Sequence, residues 1–485
     1  MSTVEEHHKD PNSVTLLDGD GTFRDTVGTI AADGKRRWIY PKKPEGRFYN
    51  ARTWVSVFLL FILFGMPFVR INGLPMLMIN IPERKFIVLG QIFWPQDFYL
   101  LVLGILSLMI FIVLFTVVFG RVFCGWACPQ TIFMETVFRK IEYWIEGDYR
   151  EQQKLNSSPW DLNKTVKKLS KWSIFYAISF IISNTFLAYI IGTDELFKII
   201  SDPISAHITG FTAIVIFSGV FYFVFAYMRE QVCIVVCPYG RLQGVMLDRD
   251  SVVVAYDYVR GEPRGPVKKQ HTEIKNGDCI DCHMCVKVCP TGIDIRNGTQ
   301  LECINCTACI DACDSIMDKI DRPRGLIRYD SENGIASSKP WSLSNRAIAY
   351  VAVLFILVAG LSTGLILRKP LDATVLRSAG LTWQDRGDGN ISNLYQIKIL
   401  NKTNNEMPVQ LAIKQVQGEI QWVSGRELIV PAGGMIEDKF FVILDTEQIK
   451  NISSYPLELT MTSNGETIQT ISTNFMTPRA GNNNR

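Results

Sequence analysis

The chain carries little net charge for its length. Among its 485 residues, 50 lysines and arginines stand against 47 acidic residues, a formal net charge of +3. This balance argues against a nucleic-acid binder held by bulk charge. An apolar share of 47% argues against a disordered chain. We therefore expect no nucleic-acid partner, and about three domains from the length alone.

Histidine is also scarce. The five histidines are His7, His8, His207, His271 and His283. None lies in the long uncharged apolar stretches of the chain, whereas membrane cytochromes hold b-type haem with imidazoles inside their helices. We therefore expect no haem. His283 stands between two cysteines and fits a loop residue, and the pair His7–His8 fits a mobile tail better than a metal site.

Five stretches without acidic, basic or histidine residues are about long enough to cross a bilayer. They are 54–69, 98–119, 172–191, 211–228 and 347–367. A spanning helix needs about 20 apolar residues, with roughly 17 as the lower limit. The first stretch is the weakest, since Gly65 and Pro67 interrupt it. Buried helices of soluble proteins seldom run so long without charge, so the pattern predicts an α-helical membrane bundle of five spans.

Basic residues predict the orientation of these spans. They are concentrated before the first span, between the second and third, and between the fourth and fifth. Such loops stay in the cytoplasm, so the N-terminus is expected inside and the C-terminus outside, although Arg368 and Lys369 oppose this weakly. No cleavable signal peptide is expected. The predicted domains are a cytoplasmic tail (1–52), four helices in two hairpins (53–228), a cytoplasmic segment (229–345), a fifth span (346–368) and an outer domain (370–485).

Eight of the twelve cysteines form two copies of one motif within the cytoplasmic segment. Both follow the spacing C-x2-C-x2-C-x3-C of bacterial ferredoxins, which bind two 4Fe–4S clusters and take the fourth ligand of each cluster from the other run. Pro290 follows the first run, and Asp314 stands where the second would have proline. The predicted ligand sets are Cys279, Cys282, Cys285 and Cys313 for one cluster, and Cys303, Cys306, Cys309 and Cys289 for the other.

Disulfides and zinc sites are the structural alternatives for these eight cysteines. The predicted cytoplasmic location disfavours disulfides. Zinc ribbons use cysteine pairs separated by a longer loop. Iron–sulfur clusters therefore fit the spacing best, in a two-cluster ferredoxin domain at about 270–320.

The remaining four cysteines form two further pairs. Cys124 and Cys128 precede Pro129, and Cys233 and Cys237 precede Pro238. Each C-x3-C-P motif begins five residues after a predicted span, which indicates an internal repeat of two helical hairpins. Cysteines four apart share one face if the segment is helical, so the two pairs together could present four thiolates.

Soft thiolates bind Cu(I), zinc or iron–sulfur iron and prefer Cu(I) over Cu(II). A site that holds the reduced ion more tightly favours reduction of Cu(II). These four cysteines are therefore candidate catalytic and copper-binding residues. A third metal centre, a redox-active disulfide and simple packing at a helix end remain the alternatives.

The segment 370–485 has neither cysteine nor histidine. It has short alternating runs at 395–400, 409–413 and 457–461, and turn clusters at 401–405, 431–434 and 463–465. Period-2 alternation between such turns predicts an immunoglobulin-like β-sandwich of roughly seven strands. We expect it to contact another protein or to give structural support.

The order of these motifs resembles the cytochrome c oxidase accessory proteins called CcoG, FixG or RdxA. The match runs from about Arg36 onward. The NapH-type electron-transfer proteins resemble the part from the first span to Cys313, and usually lack a fifth span and an outer sandwich. The resemblance implies a bacterial inner-membrane, multi-pass protein with a periplasmic sandwich, which reduces Cu(II) to Cu(I) for cbb3-type cytochrome oxidase.

The implied partners are membrane lipid, oxidase subunits or copper chaperones and transporters, and an unidentified cytoplasmic electron donor. Copper would be a substrate or a bound ion at Cys124, Cys128, Cys233 and Cys237. Two other hypotheses remain: a quinol-linked electron conduit like NapH, for which the sequence identifies no quinone pocket, and a non-enzymatic scaffold for oxidase assembly.

Overall fold

The computed structural model describes residues 36, 38–81, 85–266, 277–338, 342–378, 380, 383–387, 389–449 and 453–478. His7, His8 and His271 lie outside these residues, as does most of the predicted N-terminal tail. The chain forms two compact units. The first comprises Met1–Met66, Gly104–Ala188 and Asp194–Val358, and the second comprises Pro67–Leu103, Tyr189–Thr193 and Ala359–Arg485.

Five helices are long and apolar enough to cross a membrane. Spans 1 to 5 are Arg47–Phe68, Pro95–Phe119, Leu162–Ile191, Ile208–Met228 and Asn345–Ile366. Each overlaps one of the five apolar stretches, which agrees with a multi-pass membrane protein. Span 3 begins ten residues before its apolar stretch, because the Asp161 carboxylate accepts a hydrogen bond of 2.7 Å from the Lys164 backbone N–H and caps the helix there.

Shorter helices follow spans 2, 3 and 4 in the first unit. The α-helices are Val122–Trp126, Pro129–Thr131, Arg139–Glu146, Tyr149–Ser157, Thr193–Ser201, Pro238–Met246, Tyr258–Gly261, Met284–Lys287, Ala308–Lys319 and Glu332–Ser337. The π-helical turns are Ile132–Phe138, Val224–Met228 and Val232–Val236. Short 3₁₀ turns span Ile204–Ala206 and Ile295–Asn297.

The two strands of a small antiparallel sheet flank the two cysteine runs in the sequence. Val253–Tyr256 pairs with Ile327–Asp330, so that the strands lie before the first run and after the second. Val254 and Tyr256 pack in one buried cluster with Cys279, Cys285 and apolar residues of Ala308–Lys319. The pairing joins segments about 70 residues apart, which local sequence patterns do not show.

The helices next to the spans pack through aromatic rings and buried charges. Phe138 stacks on Phe225 at 4.8 Å between ring centroids, and Phe175 meets Phe138 edge-on at the same distance. Arg229 donates two hydrogen bonds, of 3.0 and 2.8 Å, to the carboxylate of Glu142. This bidentate pair is buried and fixes the end of span 4 against Arg139–Glu146.

The second unit contains a β-sandwich with a single core. One sheet has the order Gly418–Trp422, Met435–Asp445, Asn390–Asn401 and Leu371–Arg377, with Gln384–Gly387 paired to Asn390–Asn401. The other has the order Leu428–Val430, Met407–Ile413, Ser454–Ser463 and Glu466–Met476. Tyr395, Phe440, Leu459 and Phe475 are fully buried between the sheets.

The sandwich has nine strands among the described residues, so the expected seven was too low. Gln384–Gly387 is exposed along its whole length, and Leu428–Val430 has only three residues, so neither gives a recognisable strand signal in the sequence. Three further strands, Leu77–Asn80, Lys85–Val88 and Gln91–Phe93, form a sheet between spans 1 and 2. Two-residue strands at Arg70–Ile71 and Leu74–Pro75 pair beside it.

Buried charges also hold the second unit together. The two oxygens of the Asp97 carboxylate lie 2.7 Å from Lys402 Nζ and 2.6 Å from Arg368 Nη2. All three side chains are nearly inaccessible. The pairing attaches the start of span 2 and the end of span 5 to the sandwich.

Candidate metal centres

The eight cysteines of the two runs line two cavities. Cys279, Cys282, Cys285 and Cys313 line one. Cys289, Cys303, Cys306 and Cys309 line the other, which Cys285 also borders. These are the two sets that the sequence assigns to separate clusters, and each contains one cysteine from the opposite run.

The backbone of both runs has the same unusual conformation at matched positions. Asp281 and Asn305, two residues after the first cysteine of each run, have φ values of 57° and 53°. His283 and Thr307, one residue after the second cysteine, have φ values of 54° and 67°. Left-handed backbone costs a residue other than glycine about 1–3 kcal/mol. Alternating hands turn backbone N–H groups towards one point, and such concavities bind anions and iron–sulfur groups.

The thiols of both cavities fit iron–sulfur clusters. Burial raises the pKa of Cys285, Cys303 and Cys313 to about 12, and that of Cys306 to about 11. These thiols therefore keep their protons at neutral pH unless a metal replaces them. Four cysteine thiolates per site are the ligand set of a 4Fe–4S cluster, so the residues around each cavity suit one such cluster.

The structure explains why Asp314 replaces proline in the second run. Asp314 lies inside the helix Ala308–Lys319, where proline would remove a backbone hydrogen bond and break the helix. Its carboxylate instead accepts a hydrogen bond of 3.0 Å from the Gly325 N–H. Pro290, by contrast, follows the short helix Met284–Lys287, which has already ended.

Neither C-x3-C-P motif is one continuous helix, so the condition for a shared helical face is not met. Cys124 lies in Val122–Trp126, but Cys128 is extended with ψ 124° and precedes the helix that Pro129 starts. Cys233 lies in a π-helical turn, and Cys237 is extended with ψ 111°. A residue before proline is pushed out of the helical region, so each motif turns sharply at its second cysteine.

The structure nevertheless brings the two motifs together. The Tyr239 hydroxyl lies 2.6 Å from the Thr116 hydroxyl near the end of span 2, and the Tyr239 ring meets the Phe123 ring edge-on. A β-carbon at Gly240 would lie 2.4 Å from the Cys233 carbonyl oxygen. This close packing of Pro238–Met246 on the preceding turn requires glycine, which explains its place after the second motif.

The four thiols of these motifs influence one another electrostatically. Burial, together with the neighbouring Cys128, Cys124 and Cys237, raises the pKa of Cys233 to about 12. Burial also raises the pKa of Cys124, with smaller increases from Cys128 and Cys237. Within the described residues no three His, Cys, Asp or Glu side chains are grouped closely enough to hold one metal ion. The four thiols therefore lie near one another but do not form a complete coordination sphere.

Arg121 and Gln243 belong to this site, and the motif pattern did not identify them. The buried Arg121 guanidinium donates to the Gln243 side-chain oxygen, and Gln243 Nε2 lies 3.3 Å from Cys124 Sγ. The positive charge of Arg121 opposes the rise in the pKa of Cys124, Cys233 and Cys303. Arg121 thus lies near both C-x3-C-P motifs and the second cysteine run. Its place three residues before Cys124 was the only available sequence signal.

The first C-x3-C-P motif packs directly on the second cysteine run. A β-carbon at Gly125 would lie 2.4 Å from the carbonyl oxygen of Ile304, which stands between Cys303 and Cys306. Cys124 packs on the same apolar cluster as Ile304 and Cys306. The cavity lined by Cys303, Cys306 and Cys309 is therefore the one adjacent to Cys124.

The two described histidines contact acidic residues. His283 is half exposed; its Nδ1 lies 2.8 Å from Arg296 Nη2 and its Nε2 lies 3.5 Å from Asp281. His207 lies 2.9 Å from Asp202. These contacts agree with the loop role expected for His283.

The fold and the cysteine arrangement define an iron–sulfur protein of the two-cluster ferredoxin type, with five candidate membrane spans and an immunoglobulin-like sandwich. Three family models match the chain. They are a 4Fe–4S binding domain (residues 101–148), a 4Fe–4S dicluster domain (residues 228–332) and an Ig-like fold at the C-terminal of FixG (residues 361–478). The first two matches include the two C-x3-C-P motifs.

Named relatives match over most of the chain. "Protein RdxB" of Cereibacter sphaeroides is 32% identical over 433 residues, which cover 86% of this chain and 90% of that protein. "Nitrogen fixation protein FixG" of Rhizobium meliloti is 34% identical over 432 residues, which cover 81% and 82%. The chain belongs to the FixG/RdxA family of iron–sulfur proteins.

One solved structure is similar to a smaller part of the chain. The crystal structure of a FixG-related protein from Vibrio parahaemolyticus covers 22% of this chain and 97% of its own, with 20% identity and a TM-score of 0.19.

Proposed function

We propose that this protein is a membrane-bound iron–sulfur oxidoreductase that reduces Cu(II) to Cu(I) at the thiols of the two C-x3-C-P motifs. The observation that carries the proposal is the packing of Gly125 on the Ile304 carbonyl. It sets Cys124 beside the cavity of Cys303, Cys306 and Cys309. A soft-metal ligand site thereby adjoins a site suited to an electron carrier.

The cysteines around the two cavities would bind two separate clusters. Cys279, Cys282, Cys285 and Cys313 would hold one 4Fe–4S cluster, and Cys289, Cys303, Cys306 and Cys309 the other. When bound, such clusters supply electrons one at a time, which suits the addition of one electron to each Cu(II).

The chain's own residues prepare the substrate site. Thiolates at Cys124, Cys128, Cys233 and Cys237 would bind the soft product Cu(I) more tightly than Cu(II), which favours reduction. Arg121 opposes the protonation of Cys124 and Cys233. Gln243 holds the Cys124 sulfur by a 3.3 Å contact.

The same proposal includes location and partners. The five candidate spans would lie in a bacterial inner membrane, with the cysteine-bearing region in the cytoplasm and the sandwich in the periplasm, since the basic connectors lie on the cysteine side. Cu(I) would pass to copper chaperones or transporters, or to subunits of a cbb3-type cytochrome oxidase during its assembly.

The test compares Cu(II) reduction by pre-reduced wild type and by the Cys124→Ser/Cys128→Ser variant, with Cu(I) trapped by a coloured chelator. We expect equal iron content and about tenfold slower reduction in the variant, which loses two soft ligands. A Cys233→Ser/Cys237→Ser variant shows whether the second pair is also needed. Equal rates in all three proteins at equal iron content would contradict the assigned role of the thiols and favour a scaffold.

A further inference from the structure

A cavity of about 730 Å³ lies where spans 3 and 4 meet the short helices of the first unit. This volume lies within the range of small-molecule sites. Trp172 and Phe175 of span 3 and Tyr222 and Phe223 of span 4 form the apolar part of its wall. Because the wall belongs to two candidate membrane helices, a ligand dissolved in the lipid would have direct access to it.

The remaining wall is polar, and its lysines already have ionic or hydrogen-bonding partners. Glu146 lies 2.9 Å from Lys168 Nζ and 2.8 Å from Lys171 Nζ. Lys164 Nζ donates to two backbone carbonyls, those of Asn156 and Ser158. Each lysine that lines the described part of the cavity is thus occupied, which disfavours a phosphate group. A neutral ligand with hydroxyl groups would find carboxylate and amide oxygens as hydrogen-bond acceptors here.

The cavity shares a wall with the cysteine region. Trp38 and Tyr40 line the cavity, and Ile39 between them lies against Gly292, just beyond Cys289. Three residues after Ile39, the Lys42 N–H donates a 2.7 Å hydrogen bond to the carbonyl of Lys287. Lys287 stands between Cys285 and Cys289, so the segment 38–42 runs from the cavity to the cysteines of both candidate clusters.

From these observations we infer that the cavity binds the head group of a membrane quinol, and that this quinol supplies the electrons. The inference rests on the proposed function and names its electron donor as a quinol in place of an unidentified cytoplasmic protein. One quinol loses two hydroxyl protons and two electrons to become a quinone. The electrons reduce two Cu(II) to two Cu(I), and the protons leave to water by way of Glu146, the carboxylate of the cavity wall that is paired only with lysines.

Aromatic walls favour a planar ring. Phe223 and Tyr227, which both line the cavity, stack with 5.3 Å between ring centroids. Trp160 and Trp172 add two larger faces. A flat quinol ring can stack on such surfaces, and its isoprenoid tail would follow spans 3 and 4 into the lipid.

The test uses the full chain in phosphatidylcholine nanodiscs and a photoreactive azidobenzoquinone with a decyl tail. Cross-linked peptides are mapped by mass spectrometry in wild type, Ala226→Phe and Val220→Phe. Ala226 lines the cavity, whereas Val220 is an exposed residue of the same helix. Filling the cavity at position 226 should lower labelling about tenfold, equivalent to 1.4 kcal/mol, and labelling of the Val220→Phe control should equal wild type.

Two further measurements make the result decisive. If Ala226→Phe does not fold, Phe223→Trp provides the same test. It narrows the cavity at an exposed residue and should also reduce labelling. Reduction of the clusters by decyl-quinol should fall with labelling, while dithionite-driven Cu(II) reduction stays unchanged.

Equal labelling in all variants, or a phospholipid retained in the cavity that the quinone does not displace, would overturn the inference. Cavity-dependent labelling together with full copper reduction in Cys124→Ser/Cys128→Ser would support the quinol site and refute the copper role instead. The two proposals can therefore fail separately.

Discussion

The α-carbon of Gly125 faces the carbonyl oxygen of Ile304 so closely that a β-carbon would lie 2.4 Å from it. Gly125 follows the first cysteine of a C-x3-C-P motif, and Ile304 stands between two cysteines of the second ferredoxin run. Trp126 strengthens the same contact, because its Nε1 donates a 3.1 Å hydrogen bond to the Tyr329 hydroxyl, which donates to the Asn305 carbonyl. The thiol site and one candidate cluster site are thus in direct contact through the backbone of Gly125 and Ile304.

A methyl group at Gly125 should separate these two sites. Gly125→Ala places the new carbon against a backbone oxygen, which has little room to move, and overpacking of this kind costs about 1–3 kcal/mol. We expect retained iron and about tenfold slower Cu(II) reduction, because a displacement near 1 Å can cost two orders of magnitude in rate.

Gly104→Ala is the matched control, since nothing lies within 4 Å of a β-carbon at Gly104. Its iron content and rate should equal those of wild type. A Gly125→Ala protein as active as Gly104→Ala would show that the contact does not position Cys124.

Asp314→Pro should selectively damage one candidate cluster site. Proline inside Ala308–Lys319 costs about 3 kcal/mol or more and also removes the acceptor for the Gly325 N–H. Because Cys313 precedes Asp314 and lines only one of the two cavities, iron and sulfide per chain should fall towards half. Asp314→Asn keeps the helix and an acceptor oxygen, and should bind iron fully. Full iron in both variants would refute this account of Asp314.

Arg121 should control the reactivity of the C-x3-C-P thiols. Only thiolates react with iodoacetamide, and the Arg121 charge favours the thiolates of Cys124 and Cys233 by lowering their pKa. Arg121→Met should slow alkylation of these two cysteines about threefold near neutral pH. With clusters bound, their cysteines are protected from the reagent. The exposed Arg241 provides a control, Arg241→Met, and equal alkylation in both variants would contradict the role of Arg121.

Acid should weaken the first unit through Glu142. Burial alone would raise the pKa of this carboxyl, but Arg229, Lys171 and Arg139 outweigh burial and lower it below 4.5. Since the folded pKa lies below the unfolded value, the carboxylate stabilises the fold above pH 4.5, and this contribution disappears as the pH falls through the lowered pKa.

Glu142→Gln should remove this pH-dependent contribution and lower the free energy of unfolding by about 3–5 kcal/mol, because the buried Arg229 loses its bidentate carboxylate partner. Thermal unfolding in detergent at a series of pH values measures both effects. Glu195→Gln, at an exposed helix position, should behave as wild type. A Glu142→Gln protein with wild-type stability at neutral pH would contradict the importance of the buried pair.

Local sequence patterns predicted the parts of this structure that depend on local chemistry. Cysteine spacing predicted which four cysteines line each of the two cavities, and uncharged runs predicted the five long helices. Pro129 and Pro238 keep the preceding Cys128 and Cys237 out of the helical region, so the condition for one helical face is not met.

Contacts between distant segments could not be predicted from the sequence. Gly125 and Ile304, or Lys42 and Lys287, are brought together only by the folded chain. Arg121 and Gln243 carry no recognisable motif, and the aromatic wall formed by Trp172 and Tyr222 looks like ordinary membrane helix. The strand Gln384–Gly387 was missed because its neighbours, rather than its own residues, make it a strand.

Electron paramagnetic resonance tests the central claim most directly. Anaerobic protein is reduced with dithionite, freed of excess reductant and mixed with stoichiometric Cu(II), beside the Cys124→Ser/Cys128→Ser variant. The account predicts that the reduced-cluster and Cu(II) signals disappear together, quickly in wild type and slowly in the variant. If the clusters stay reduced after copper is added, or if both proteins react at the same rate, the assignment of copper reduction to these thiols is wrong.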